Sequence, residues 1–178
     1  MTREELAKSI FNVSHITGEF KLRSGITSNE YFDKYQFESR PQLLIHIGER
    51  LSKLIPIGTE VLAGLEVGGI PIATAISLMR NIPVVFVRKK AKEYGTARTI
   101  EGLDIQGKKV LIVEDVVTSG GQIVLSTKDI RDKGAIVEKA FCVIDRENGA
   151  KETLEKIGIE LISLFTMSEL KNIVKKIE

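Results

Sequence analysis

The pattern that most constrains the fold begins after Gly58. Short, continuous apolar runs at residues 61–65, 83–87, 109–113, 136–144 and 160–164 alternate with stretches of helical periodicity. The helices are predicted from Gly69 to about Met79, over 121–133 and 149–157, and from about Ser168 onward. An unbroken apolar run, rather than an alternating one, belongs to a strand covered on both faces. Such strands joined by helices make a mostly parallel sheet. The chain has 178 residues, the length of one domain. Apolar residues are 43% of it and charged residues 28%, enough for a packed core. The expectation is an α/β fold: a single domain over 1–178, with a central, mostly parallel sheet flanked by helices at 41–178. Residues 1–40 form a small N-terminal hood.

The hood has its own signals. Thr2 and Glu5 are spaced as a capping box, and Leu6, Ile10 and Val13 follow at helical spacing. Residues 19–23 and 31–35 flank the turn SGITSN and read as a hairpin or a pair of edge strands. Pro41 opens another helix, with Leu43, Leu44, Ile47, Leu51 and Leu54 on one side. Thr166 and Glu169 are spaced to cap the last helix.

Several classes of function are disfavoured. A formal net charge of +2 gives no argument for nucleic acid or a membrane surface as partner. No apolar run approaches the roughly 20 residues that span a bilayer. The N-terminus has no positive segment leading into an apolar stretch. The single cysteine, Cys142, lies in the run AFCVI and reads as a small buried hydrophobe in a reducing compartment. The expected location is cytoplasmic.

In open α/β sheets, ligands bind beyond the carboxyl ends of the strands. That rule selects the loops at 65–69, 88–107, 114–121 and 145–149. The third lies in VLIVEDVVTSGGQ, residues 110–122. Glu114 and Asp115 follow Val113 at the expected strand end, and Thr118, Ser119, Gly120 and Gly121 lead into a helix. Small residues leave the helix's first N–H groups uncovered, and these with the helix dipole favour a phosphate. The spacing is that of neither a nucleotide P-loop nor a dinucleotide fingerprint. The two carboxylates can accept hydrogen bonds from sugar hydroxyls or attract Mg²⁺ indirectly. The bland alternative is a capped helix beside surface acids.

VLIVEDVVTSGGQ resembles the phosphoribosyl-pyrophosphate motif of the type I phosphoribosyltransferases. The resemblance implies that Glu114 and Asp115 face the ribose hydroxyls. It also implies that the loop holds the 5-phosphate, so Val116, Val117, Thr118, Ser119, Gly120, Gly121 and Gln122 belong to the donor site. The stretch VRKKAKEYGTAR carries five basic residues between Arg88 and Arg98 against one acid, Glu93. Like charges at that density suit a mobile lid that closes over an anion. The string RKKAKEYG closely resembles the loop of the orotate phosphoribosyltransferases. By that resemblance Arg88, Lys89 and Lys92 bind pyrophosphate, and Lys92 is the expected catalytic residue, neutralising the leaving group. Tyr94, counted with the donor site, stands where that family often has a histidine. The loop is expected to complete the site of a neighbouring subunit, which implies a homodimer.

Three further pieces point to the same family. Arg23 and Tyr31-Phe32-Asp33 resemble its hood segment, with Arg23 where lysine is frequent. Arg146, in Asp145-Arg146-Glu147, matches the arginine that pairs with the carboxylate of orotate. Arg23, Phe32, Thr118 and Arg146 are therefore the expected orotate-binding residues. A plainer reading pairs Arg146 with Asp145 or Glu147, and packs Phe32 in the hood core. GLEVGGIPIA, residues 64–73, resembles the family's pyrophosphate loop, with Gly68 where some members carry a lysine. His15 and His46 fall in no matched motif.

Taken together, the resemblance implies transfer of a phosphoribosyl group from 5-phosphoribosyl 1-pyrophosphate (PRPP) to orotate, with Mg²⁺ as cofactor and no dedicated metal ligands. Two rivals stay open: a phosphoribosyltransferase for another base, and a regulator that reuses the fold to sense PRPP while binding nucleic acid.

Overall fold

Helix α1 (Arg3–Ser14) opens on the expected capping box: the Glu5 amide donates to Thr2 Oγ1 (3.1 Å) and the Thr2 amide donates to Glu5 Oε2 (2.7 Å). A computed structural model describes residues 1–21, 25–90 and 99–175. Strands β1 (His15–Lys21) and β2 (Thr27–Phe32) pair as an antiparallel hairpin. The hairpin is set earlier than expected. The strand expected over 31–35 stops at Phe32, because the Asp33 carboxylate accepts the Tyr35 amide (3.2 Å) and starts a one-turn helix, α2 (Tyr35–Glu38). Helix α3 (Pro41–Ser52) begins at the expected proline and ends before Leu54, which is exposed rather than part of the apolar face.

The main sheet has six strands: β3 (Val61–Leu65), β4 (Val84–Val87), β5 (Ile100–Glu101), β6 (Val110–Val117), β7 (Lys139–Asp145) and β8 (Glu160–Thr166). Their order is β5-β4-β3-β6-β7-β8, and every pairing is parallel except β4 with β5. Helices α4 (Gly69–Arg80), α5 (Gly121–Asp132), α6 (Ala150–Glu155) and α7 (Met167–Lys175) complete the chain. Only half of the expected cap on α7 forms. The Thr166 hydroxyl accepts the Glu169 amide (3.2 Å), but the Glu169 carboxylate turns to Arg3 of α1.

Two strands differ from expectation in ways that matter for the loops. β6 does not stop at Val113. Val116 and Val117 keep the ladder with Ile144 and Asp145 of β7, so the acid pair lies inside the strand. β5 falls in a polar stretch expected to be loop. Its two residues pair with Phe86 and Val87 at the sheet edge, and Ile105 just beyond is buried.

Period-two geometry explains the unbroken apolar runs. On one side, Ala63, Ile112, Ala140 and Cys142 pack against Ile123 and Ile130 of α5 and Leu154 of α6. On the other, Leu62, Leu111 and Phe141 pack against Ile10, Ile47 and Ile76 of α1, α3 and α4. Parallel register then aligns the carboxyl ends. Val87 lies opposite Leu65 and Asp145 opposite Val117, so the loops after β4, β3, β6 and β7 emerge side by side along one edge. Among the described residues, no helix is long and apolar enough to cross a membrane.

Candidate functional site

The loop between β6 and α5 forms a cavity of about 180 Å³ lined by Glu114, Val116, Val117 and residues 118–123. Gly120 stands at the start of α5 with φ 79°, a left-handed conformation that a side chain would strain. A Cβ there would also press on Leu154. Among the described residues no side chain caps α5, so its first N–H groups are left for a ligand. Gln122 lines the same cavity, and its amide donates to Ser126 Oγ (3.2 Å).

The acids are buried, not surface groups: Glu114 is 7% exposed and Asp115 0%. Glu114 Oε1 accepts the Asp115 amide (3.0 Å), and Asp115 Oδ1 accepts the Val116 amide. Asp115 Oδ2 accepts a hydrogen bond of 2.5 Å from Lys34 Nζ, which reaches over from the hood. Glu38, on α2, is buried beside them. Burial works against ionising Asp115, but the hydrogen bond and charge of Lys34 outweigh it and hold the carboxyl below its usual range. Burial, then the charge of Asp115, pushes Glu114 well above the usual carboxylate range. The same two causes push Glu38 up to about 8. The cluster therefore sets one ammonium among three carboxyl groups, of which Asp115 ionises most readily.

The loop after β3 closes on this cluster. A Cβ on Gly68 would lie 1.8 Å from Asp115 Oδ2 and 2.5 Å from Glu38 Oε1. No side chain fits at Gly68 with Asp115 in this position. A Cβ on Gly69 would lie 2.3 Å from the Val113 carbonyl, so the start of α4 packs directly on the β6 backbone. Glu66, in the same loop, accepts the Lys89 amide (2.9 Å), and the Arg88 amide donates to Thr99 (2.8 Å). Arg88 and Lys89 thus sit at the base of the basic loop, next to the glycine loop. Among the described residues the buried Arg88 Nε has no hydrogen-bond partner. Lys92 and Tyr94 lie outside the described residues, as does Arg23.

A second cavity, of about 220 Å³, opens between the hood and the loop after β7. Phe32 and Arg146 both line it, with Phe11, Glu30, Met167 and Lys171. The Arg146 amide donates to the Val117 carbonyl (2.8 Å), which ties this loop to the end of β6. Among the described residues both neighbouring acids have partners other than the Arg146 guanidinium. Asp145 Oδ1 accepts the Glu147 amide (2.9 Å), and the Glu147 carboxylate holds the Ser168 amide and hydroxyl (2.8 Å each). Phe32 packs against the core and lies 6.4 Å from the Phe11 ring, so it serves the hood core as well as the cavity wall. Thr118 lines the loop cavity and not this one. Glu30 holds His15 and Lys171, each at 2.8 Å.

Comparison with known proteins decides the family. Residues 35–167 match the model of the phosphoribosyl transferase domain. The orotate phosphoribosyltransferase of Nocardioides sp. is 46% identical over 165 residues, covering 93% of this chain and 92% of that one. The chain belongs to the orotate phosphoribosyltransferase family. The crystal structure of the Mycobacterium tuberculosis H37Rv orotate phosphoribosyltransferase with Fe(III) dicitrate superposes with a TM-score of 0.86 at 33% identity, covering 94% of this chain and 98% of that one. The structure of that enzyme in complex with 5-phospho-alpha-D-ribosyl 1-diphosphate gives 0.79 at 28% identity, over 95% and 98%.

Within this orotate phosphoribosyltransferase framework, three residues at the site were not singled out from the sequence: Lys34, Glu38 and Lys171. Lys34 and Glu38 are a basic and an acidic residue four positions apart, a helical spacing hidden by reading the segment as a strand. Lys171 had no local signal, because it reaches the cavity from the last helix.

Proposed function

We infer that the chain transfers the phosphoribosyl group of PRPP to orotate, giving orotidine 5-monophosphate and pyrophosphate, a step of pyrimidine (UMP) biosynthesis. The observation that carries this reading is the uncapped β6–α5 loop, with buried acids on one flank and the Arg146–Phe32 cavity on the other. A phosphorylated sugar spans from cradle to acids, and a carboxylated base lies on the Arg146 side.

The proposed roles follow. The amides and hydroxyls of residues 118–122 hold the 5-phosphate, and Asp115 with Glu114 receives the ribose 2- and 3-hydroxyls. Arg146 and Phe32 hold orotate, aided by Arg23, and Thr118 adds a donor from the loop side. The orotate ring nitrogen attacks the sugar C1 as the bond to pyrophosphate breaks. Positive charge grows on the sugar and negative charge on the leaving group, so the protein must align reactants and neutralise charge. Arg88, Lys89 and Lys92, with Tyr94 beside them, meet the pyrophosphate, and Lys92 neutralises it as the lid closes. Closure also excludes water that would hydrolyse the donor.

Among the described residues no group of three or more His, Cys, Asp or Glu is arranged to hold a metal ion. Adjacent acids beside a phosphate site suit a Mg²⁺ ion carried by the donor itself. Such an ion neutralises charge on the pyrophosphate, and Glu114 and Asp115 would face its water shell. We further propose a cytoplasmic homodimer, with the loop at 88–107 completing the neighbouring subunit's site, and no nucleic-acid partner. The test is orotate consumption followed by absorbance, with PRPP and Mg²⁺. Steady loss of orotate is expected. No loss from a folded, dimeric preparation overturns the reading.

A further inference from the structure

The two motif acids are not equivalent, and what separates them comes from the hood. Glu114 opens onto the loop cavity. Asp115 lies between β6, the glycine loop and α2, and its only charged hydrogen-bond donor among the described residues is Lys34. The other groups facing it are Glu38, Glu114 and, more distantly, the neutral thiol of Cys142. Burial disfavours an ionised Asp115, and the hydrogen bond and charge of Lys34 offset it. A protonated Asp115 would be a poor acceptor for a sugar hydroxyl.

Gly68 makes the arrangement specific. Gly68 carries no side chain, and a Cβ there would meet the Asp115 and Glu38 carboxyls where they now stand, so the cation at Asp115 comes from the hood instead. Lys34 comes from the turn after β2, two residues beyond Phe32 of the hood cavity, with its ammonium 5.3 Å from the Tyr35 ring.

We propose that Lys34 is a positioning residue of the donor site: its contact with Asp115 fixes that carboxylate for the ribose hydroxyls, and so ties donor affinity to the placement of the hood. The inference rests on the reading of Asp115 as a ribose acceptor. It adds a residue outside the matched motifs and a physical link between the two cavities.

The test is calorimetric binding of PRPP with Mg²⁺ to the full chain. Lys34→Met is expected to bind at least about tenfold more weakly than wild type at pH 7, while Lys34→Arg retains most of the affinity. Without the ammonium the Asp115 carboxyl titrates higher, so the wild-type to Lys34→Met affinity ratio should be larger at pH 6 than at pH 9. Titration of the donor's own phosphates is common to both proteins and cancels in that ratio. If Lys34 acts through Asp115, adding Lys34→Met to Asp115→Asn should cost no further affinity. Undiminished binding by Lys34→Met, a loss equal at both pH values, or additive losses in the double variant overturns the inference and leaves the site reading intact. A wild type that binds no PRPP overturns both.

Discussion

The loop cavity and the hood cavity lie side by side on one sheet edge but are built in opposite ways. The first comes from one contiguous stretch, residues 114–123, where a buried strand gives way to an uncapped helix. The second is assembled from α1, the hairpin, the loop after β7 and α7, with Phe11 and Lys171 at opposite ends of the chain. Phosphate recognition needs only amides and a helix dipole, which a single turn supplies. Recognition of a planar, carboxylated base needs walls and a fork of donors, which only tertiary packing brings together. The phosphate cradle should thus respond to changes in one segment, and the acceptor site to changes in several.

The largest effect tests this division on the donor side. Asp115→Asn should lower kcat/KM for PRPP by about a hundredfold, the upper end for losing hydrogen bonds to a charged group. The KM for orotate should move little. An equal loss for both substrates would mean that the acids serve the hood cavity too. Lys92→Ala should come next. Its kcat should fall by more than about tenfold, because the charge it neutralises grows only in the transition state, with the melting temperature unchanged. Normal turnover would remove the lid from the mechanism.

Arg146→Leu addresses the other cavity. Among the described residues neither neighbouring acid pairs with Arg146, which leaves its guanidinium to a ligand carboxylate. The KM for orotate should rise about tenfold while binding of PRPP, measured alone, is unaffected. A loss of PRPP binding would show that the β7 loop positions the phosphate cradle through the Arg146 amide on Val117.

The same contrast explains what could be read in the sequence. The order of strands and helices after Gly58 was legible because each strand is covered on both faces, and its apolar run says so directly. VLIVEDVVTSGGQ was legible because its chemistry is local. The extent of β6 is hidden in the sequence, since a carboxylate pair resembles a strand end, yet Val116 and Val117 keep pairing with β7. β5 has two residues in a polar stretch and exists only because β4 offers an unpaired edge. Burial of the acids was not legible either. It depends on Gly68, Glu38 and Lys34, which lie far from β6 in the chain and meet it only after the hood docks.

The smallest predicted effect probes that docking. Glu38 is protonated in the folded chain up to about pH 8, against an ordinary value of 4.5. Its contribution to stability is fully present below the ordinary value and is lost as the pH rises through about 8, because the folded state then holds the proton more tightly than the unfolded one. Asp115 runs the other way, its carboxyl depressed by Lys34, so its contribution is lost only at acid pH, outside this window. Glu38→Gln keeps a neutral group of the same shape at every pH. The variant and wild type should therefore melt alike at pH 5, and at pH 9 the variant should melt about 2–4 °C higher. Equal melting temperatures at pH 9 would mean that Glu38 is already ionised near neutrality. Lys34 would then be shared between two carboxylates, and its hold on Asp115 would be weaker than the 2.5 Å contact implies.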